Sequence, residues 1–132
     1  MTVSLVVVSH SAKLAEGVVE LAGQMTHGKV AIAAAGGTSD GTLGTSVEHI
    51  LAALEQVAGP DGTLILLDLG SAVMATEMAV EQFVQSGACP VTISPAPLVE
   101  GAVIAAVEAS IGNSLAEVAD AALGALSLPK LH

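Results

Sequence analysis

Two hydrophobic rhythms alternate along this chain. Residues Val3-Ser4-Leu5-Val6-Val7-Val8 form an apolar, largely β-branched run that stops abruptly at Ser9-His10-Ser11. A run of this kind, bounded by small polar residues, predicts a strand buried on both faces, as in parallel sheets. A 3.6-residue period takes over at once and predicts a helix over Ser11–Met25, with Leu14, Val18, Leu21, Ala22 and Met25 on one face. A second strand, Val30–Ala34, follows Gly28, and a glycine-rich loop runs from Gly36 to Gly44. Thr45 and Glu48 have capping-box spacing for a helix through Val57, with Ile50, Leu51, Leu54 and Val57 facing the core.

The alternation continues to the end. Gly59-Pro60-Asp61-Gly62 is a turn, Thr63–Leu67 a short apolar strand, and Asp68-Leu69-Gly70-Ser71 its abrupt end. Ser71 is placed to cap a helix reaching about Gln85, with Val73, Met74, Met78 and Val84 directed inward. A turn at Gly87-Ala88-Cys89-Pro90 leads to a strand at Val91–Ser94, and Pro95-Ala96-Pro97 opens a nearly all-apolar helix, Leu98–Ser110. Ser114 and Glu117 repeat the capping-box signature for a last helix to about Leu126. The expected fold is α/β, a parallel-sheet three-layer α/β/α sandwich of four or five strands with five helices. The Leu98–Ser110 helix is apolar nearly all round and needs cover on several sides, which self-association would supply.

Composition narrows the function. The 132 residues suit a single domain spanning 1–132. Phe83 is the sole aromatic, so the core is aliphatic. No stretch has the roughly 20 apolar residues that a membrane span requires, and no basic leader opens the chain. One cysteine, Cys89, permits no internal disulfide, and a cytoplasmic location is expected. Thirteen acidic residues against three lysines give a net charge of −10, which disfavours nucleic acid and anionic membranes. His and Cys residues show no metal-ligand spacing, so neither metal nor cofactor is expected.

If the strands are parallel, Ser9-His10-Ser11, Gly36–Gly44 and Asp68–Ser71 meet at one sheet edge, where such folds place their ligands. Histidine is a nucleophilic side chain, and His10 is the one that this edge offers. Asp68 is positioned to accept a hydrogen bond from one ring nitrogen, leaving the other's lone pair free to attack. Ser11, Thr38, Ser71, the backbone at Gly37 and helix-start amides offer donors for phosphate oxygens. The glycine loop lacks the lysine of a Walker A motif and the spacing of a dinucleotide fingerprint. His27 at a helix end, His49 within a helix and the terminal His132 carry no comparable company.

Four segments carry a resemblance that extends over nearly the whole chain: Val8-Ser9-His10-Ser11; Gly36-Gly37-Thr38-Ser39-Asp40-Gly41 continuing to Gly44-Thr45-Ser46; Asp68-Leu69-Gly70-Ser71-Ala72; and Pro97-Leu98-Val99-Glu100-Gly101-Ala102. Together they resemble the mannose-type enzyme IIA family of the phosphotransferase system. Within it, the third and fourth look most like phosphotransferase subunits of phosphoenolpyruvate-dependent dihydroxyacetone kinases. The resemblance implies that the phosphocarrier HPr donates a phosphoryl group to His10. By the same resemblance, this domain is expected to pass it to ADP on a separate nucleotide-binding kinase subunit. It also implies that Asp68 orients His10, that Ser71 and Thr38 cradle the phosphoryl group, and that the domain is a homodimer. Some relatives continue into HPr-like domains, so a chain ending at His132 is expected to use a separate HPr. Ser39 stands where relatives often carry an acidic residue. Two rival readings remain: a sugar-transporter domain handing phosphate to an enzyme IIB, and a non-catalytic α/β regulatory module.

Overall fold

The computed structural model describes residues 2–87 and 89–131. Its elements run β1 (Ser4–Ser9), α1 (Ala12–Gly23), β2 (Ile32–Gly36), α2 (Val47–Val57), β3 (Thr63–Leu67), α3 (Val73–Ser86), β4 (Val91–Ser94), α4 (Leu98–Ser110) and α5 (Leu115–Leu123). Short 3₁₀ turns precede α3 at Gly70–Ala72 and follow α5 at Gly124–Ser127. The four strands are parallel in the order β2-β1-β3-β4. Helices α1, α4 and α5 cover one face and α2 and α3 the other. This is the three-layer sandwich expected from the alternation of strand and helix.

Strand β1 is central and contributes to both cores. Leu5 and Val7 join the layer under α1 and α4, whereas Val6 and Val8 join the layer under α2 and α3. Each such fully buried side chain stabilises the fold by roughly 1.5–3 kcal/mol relative to exposure. The chain leaves β1 for β2 through α1 on one face. It then returns past β1 to β3 through α2 on the other. Loops after β1 and β3 therefore part in opposite directions, opening the crevice that doubly wound sheets use for ligands. Register makes their ends level: Val8 pairs with Leu67 and Ser9 with Gly36.

Several local expectations change. Strand β2 starts and ends later than Val30–Ala34, because its register against β1 pairs Leu5 with Ile32 and runs through Gly36. Ser46, not Thr45, caps α2, accepting from the His49 amide, so the Thr45–Glu48 box does not form. The Ser114–Glu117 box forms as expected. The inner face of α3 is Thr76, Ala79 and Phe83, while Met74, Met78 and Val84 are exposed. Two stripes compete on that helix. The one with small residues and the lone aromatic wins because Thr76 satisfies its hydroxyl on the Ala72 carbonyl at 2.8 Å. In α1, likewise, Ala15, Val18 and Ala22 are buried, whereas Leu14, Leu21 and, just beyond its end, Met25 are exposed.

Helix α4 finds much of its cover within the chain. It packs against both α1 and α5, and its sheet-facing side is Gly101, Ala102, Ala105, Ala106 and Ala109. A Cβ on Gly101 would lie 2.9 Å from the Leu66 side chain, so this helix sits unusually close to the sheet. Cys89 is half-buried beside the second core. Ala88 of the expected turn and His132 lie outside the described residues.

The end of β2 is pressed equally tightly onto the start of α1. A Cβ on Gly36 would stand 2.5 Å from the Ser11 carbonyl oxygen and 2.7 Å from the Ala12 Cα, both backbone atoms. Gly36→Ala is expected to destabilise the fold by about 1–3 kcal/mol, the range for overpacking a filled site. Urea unfolding checks this as a lowered midpoint with an unchanged slope.

Candidate active site

The crevice between the ends of β1 and β3 is organised by one carboxylate. The Asp68 amide donates to the Val8 carbonyl at 3.1 Å, extending the strand ladder by one step past β3. Its side chain then reaches across to the end of β1. Oδ2 accepts from Ser9 Oγ at 2.9 Å and from the His10 amide at 3.0 Å. Oδ1 accepts from the Leu69 amide at 2.7 Å and meets His10 Nδ1 at 3.0 Å. Ser9 Oγ also accepts from the Ser11 amide at 3.0 Å, and its side chain is buried.

These contacts assign the imidazole tautomer. An ionised carboxylate only accepts hydrogen bonds, so Nδ1 carries the proton that faces Asp68. Nε2 then holds the free lone pair, and Ser71 Oγ lies 2.9 Å from it, placed to donate. The His10 side chain is 26% exposed and that of Asp68 11%, so the ring is partly open while its anchor is covered. Burial acts to raise the Asp68 pKa. Its hydrogen bonds from the His10 amide and ring, Ser9 and Leu69 outweigh that, and the carboxyl lies below its ordinary value of 3.8.

His10, Asp68 and Ser71 thus converge, and the other expected site residues are partly engaged elsewhere. Ser71 lies in the 3₁₀ turn instead of capping α3, whose N-cap position is Ala72. That extra turn is what carries the Ser71 hydroxyl back over the ring. Ser11 Oγ caps α1 by accepting from the Leu14 amide at 3.2 Å, which leaves its own proton available. The Gly37 amide is already donated to the Ser9 carbonyl at 3.2 Å. With φ of +75° there, a glycine suits the bend that brings this loop under His10. Thr38 Oγ1 donates to Asp40, lies 2.7 Å from Thr42 Oγ1 and accepts from the Thr42 amide at 3.2 Å, a network internal to the loop. The hydrogen bond from Thr38 and those from Thr42 hold the Asp40 carboxyl below its ordinary range. The loop reaches the site through Gly44, whose amide donates to the His10 carbonyl at 2.8 Å.

Ser9 is the participant that the sequence reading passed over. Its signal was a hydroxyl ending an otherwise apolar strand directly before the histidine. Beside the triad a cleft of about 370 Å³ is lined by Asp68, Leu69, Val73, Ser94, Pro97 and Leu98 among others, but not by His10 or Ser71. The ring therefore stands beside that cleft and not within it. Among the described residues no group of three or more His, Cys, Asp or Glu side chains is gathered to hold a metal ion.

The lowered Asp68 pKa predicts a pH dependence. Its contribution to stability is complete above the unfolded value near 3.8 and is lost as pH falls through the lower folded value. The gap in Tm between the wild type and Asp68→Asn is expected to be full above about pH 5 and to close below about pH 4, read by thermal melts across that range.

Comparison with known proteins agrees with this architecture. The family model EIIA-man, described as the PTS system fructose IIA component, matches residues 4–119. The PEP-dependent dihydroxyacetone kinase phosphoryl donor subunit DhaM of Klebsiella michiganensis is 39% identical over 98% of this chain. The chain spans 28% of that relative's length. A shorter DhaM, of PEP-dependent dihydroxyacetone kinase 2 in Listeria innocua, is 38% identical, with 85% of this chain and 90% of the relative aligned. The crystal structure of EF1359, a protein of unknown function, superposes with a TM-score of 0.79 at 33% identity, covering 94% of this chain and 95% of that one. With its sheet order, its His10–Asp68 pair and these matches, the chain belongs to the EIIA-man family of phosphotransferase-system IIA components.

Proposed function

We propose that this domain is the phosphohistidine carrier of a dihydroxyacetone kinase, taking a phosphoryl group from phospho-HPr onto His10 and giving it to ADP on a nucleotide-binding kinase subunit. The observation that carries the reading is the ring held at both nitrogens: Nδ1 at 3.0 Å from Asp68, and Nε2 presented to solvent behind a single hydroxyl. The DhaM relatives supply the choice of acceptor.

Nε2 is the nitrogen that attacks. Ser71 releases its lone pair and turns its hydroxyl to a phosphoryl oxygen. The P–Nε2 bond forms as the donor's P–N bond breaks, and that bond's electron pair leaves with the donor nitrogen. The Nδ1 proton stays toward Asp68, whose negative charge stabilises the cationic phosphorylated ring. In the second step a terminal oxygen of ADP attacks phosphorus and the P–Nε2 pair returns to the ring. Ser11 and Ser71 are the hydroxyls with protons to offer the phosphoryl group. Thr38 serves after releasing Asp40, and Gly37 contributes shape. The first amides of α1, which have no intrahelical acceptor, add positive potential. No lysine lies in the three loops of the site, although Lys13 stands in the first turn of α1. Phosphate is therefore held by neutral donors, which suits a carrier that must surrender it.

The same reading includes a homodimer, for which the exposed Leu14 and Leu21 of α1, with Met25 just beyond its end, supply an apolar surface. Light scattering is expected to give twice the chain mass. Incubation with phosphoenolpyruvate, enzyme I and HPr is expected to add one acid-labile phosphoryl group, seen by intact mass and mapped to Nε2 of His10. His10→Ala abolishes it, and Asp68→Asn slows it by roughly 10²-fold or more. Discharge by an enzyme IIB, and not by the ADP-loaded kinase subunit, would reassign the acceptor.

A further inference from the structure

We infer that Ser9 is a positioning residue for the transfer, its buried hydroxyl linking the start of α1 to the carboxylate that orients His10. It rests on the proposed carrier function and adds a side chain that acts through Asp68 without touching the phosphoryl group. Ser9 ends β1 and is 1% exposed. A buried hydroxyl costs stability unless it is hydrogen-bonded, and this one is bonded on both sides. Its oxygen accepts from the Ser11 amide at 3.0 Å, and its proton goes to Asp68 Oδ2 at 2.9 Å. The direction is forced, because an amide only donates and an ionised carboxylate only accepts. Strand pairing makes no use of this side chain. The Ser9 carbonyl takes the Gly37 amide, and Ser9 stands in register with Gly36.

A hydroxyl that merely closed the turn from β1 into α1 would use only its oxygen, as acceptor for an amide two residues on. The proton of Ser9 instead reaches a loop 59 residues away in sequence. There it meets a group that its own rotamer does not fix, since the terminal torsion of an aspartate has broad wells. Donors must hold the carboxylate in place. The Leu69 amide holds Oδ1, the oxygen that faces Nδ1, while the Ser9 hydroxyl and the His10 amide hold Oδ2. Both amides belong to the backbone. Ser9 is therefore the side chain, besides the ring itself, that secures Asp68 among the described residues. Helix α1 strengthens this donor. Ser11 is its N-cap, and the amide that Ser9 accepts lies at the positive end of the helix. A hydroxyl polarised in this way donates more strongly to its own acceptor. The chain of bonds runs from α1 through Ser9 and Asp68 to Nδ1, whose proton must stay put while the ring gains and loses phosphate.

The test compares the full wild-type chain with Ser9→Ala and with Ser9→Thr, which keeps the hydroxyl. Nitrogen NMR of the unphosphorylated imidazole reads the tautomer. The wild type and Ser9→Thr are expected to hold His10 in the Nδ1–H form, and Ser9→Ala to show both tautomers in exchange. Phosphoryl acceptance by Ser9→Ala is expected to fall roughly tenfold in kcat, the scale of one charge-assisted hydrogen bond, with KM for phospho-HPr unchanged. The rate from phosphoramidate, a small donor, falls by the same factor because the defect lies at the ring. A purely structural hydroxyl would lower the Tm of Ser9→Ala yet leave its tautomer and kcat at wild-type values, and that result overturns the inference. So does a folded Ser9→Thr that remains as slow as Ser9→Ala. No phosphate on wild-type His10 from either donor overturns the carrier reading, and the part of Ser9 in transfer with it, whatever the tautomer.

Discussion

The Asp68 carboxylate is the contact on which the site depends. It ends β3 and binds the end of β1 through both Ser9 and His10, so one side chain joins strand pairing to ring orientation. Four donors converge on two oxygens, which keeps the group ionised despite its cover. The histidine tautomer is set by an anchor that belongs to the fold's own ladder. Loss of that charge therefore removes a strand-end contact and the ring's orientation together.

Sheet order places this contact. Because β3 lies beside β1 while β2 lies on its other side, the two loops that carry His10 and Asp68 separate above a shared strand edge. The close seats of Gly36 on α1 and of Gly101 on β3 and the β4–α4 loop hold that edge firm. At that edge Nε2 of His10 meets the Ser71 hydroxyl, and the neighbouring cleft is lined by Asp68 but not by the ring. The hydrogen bonds at its two nitrogens hold the imidazole in one orientation.

Its resemblance to DhaM subunits and its match to the EIIA-man model concern the same segments that build this edge. The chain spans 28% of the length of the Klebsiella relative and 90% of that of the shorter Listeria one. Membership accounts for the fold and the type of system, and the residues around the ring account for its orientation.

Local chemistry made much of this legible along the chain. The β-branched run before His10, the strand at Thr63–Leu67 and the Ser114–Glu117 box each depend on neighbours in sequence, and they appear where their patterns place them. His10 and Asp68 were readable as partners because both end apolar strands, and parallel strands end at one edge. What could not be read was which of two apolar stripes a helix turns inward. Met74 and Met78 have the spacing of a core face, yet Thr76, Ala79 and Phe83 fit the space between α2 and the sheet. Ser71 was readable as a helix cap, but a 3₁₀ turn moves it over the imidazole. Periodicity states that a face exists; the shape and satisfied hydrogen bonds of the surrounding layers choose between faces, and that choice is made in three dimensions.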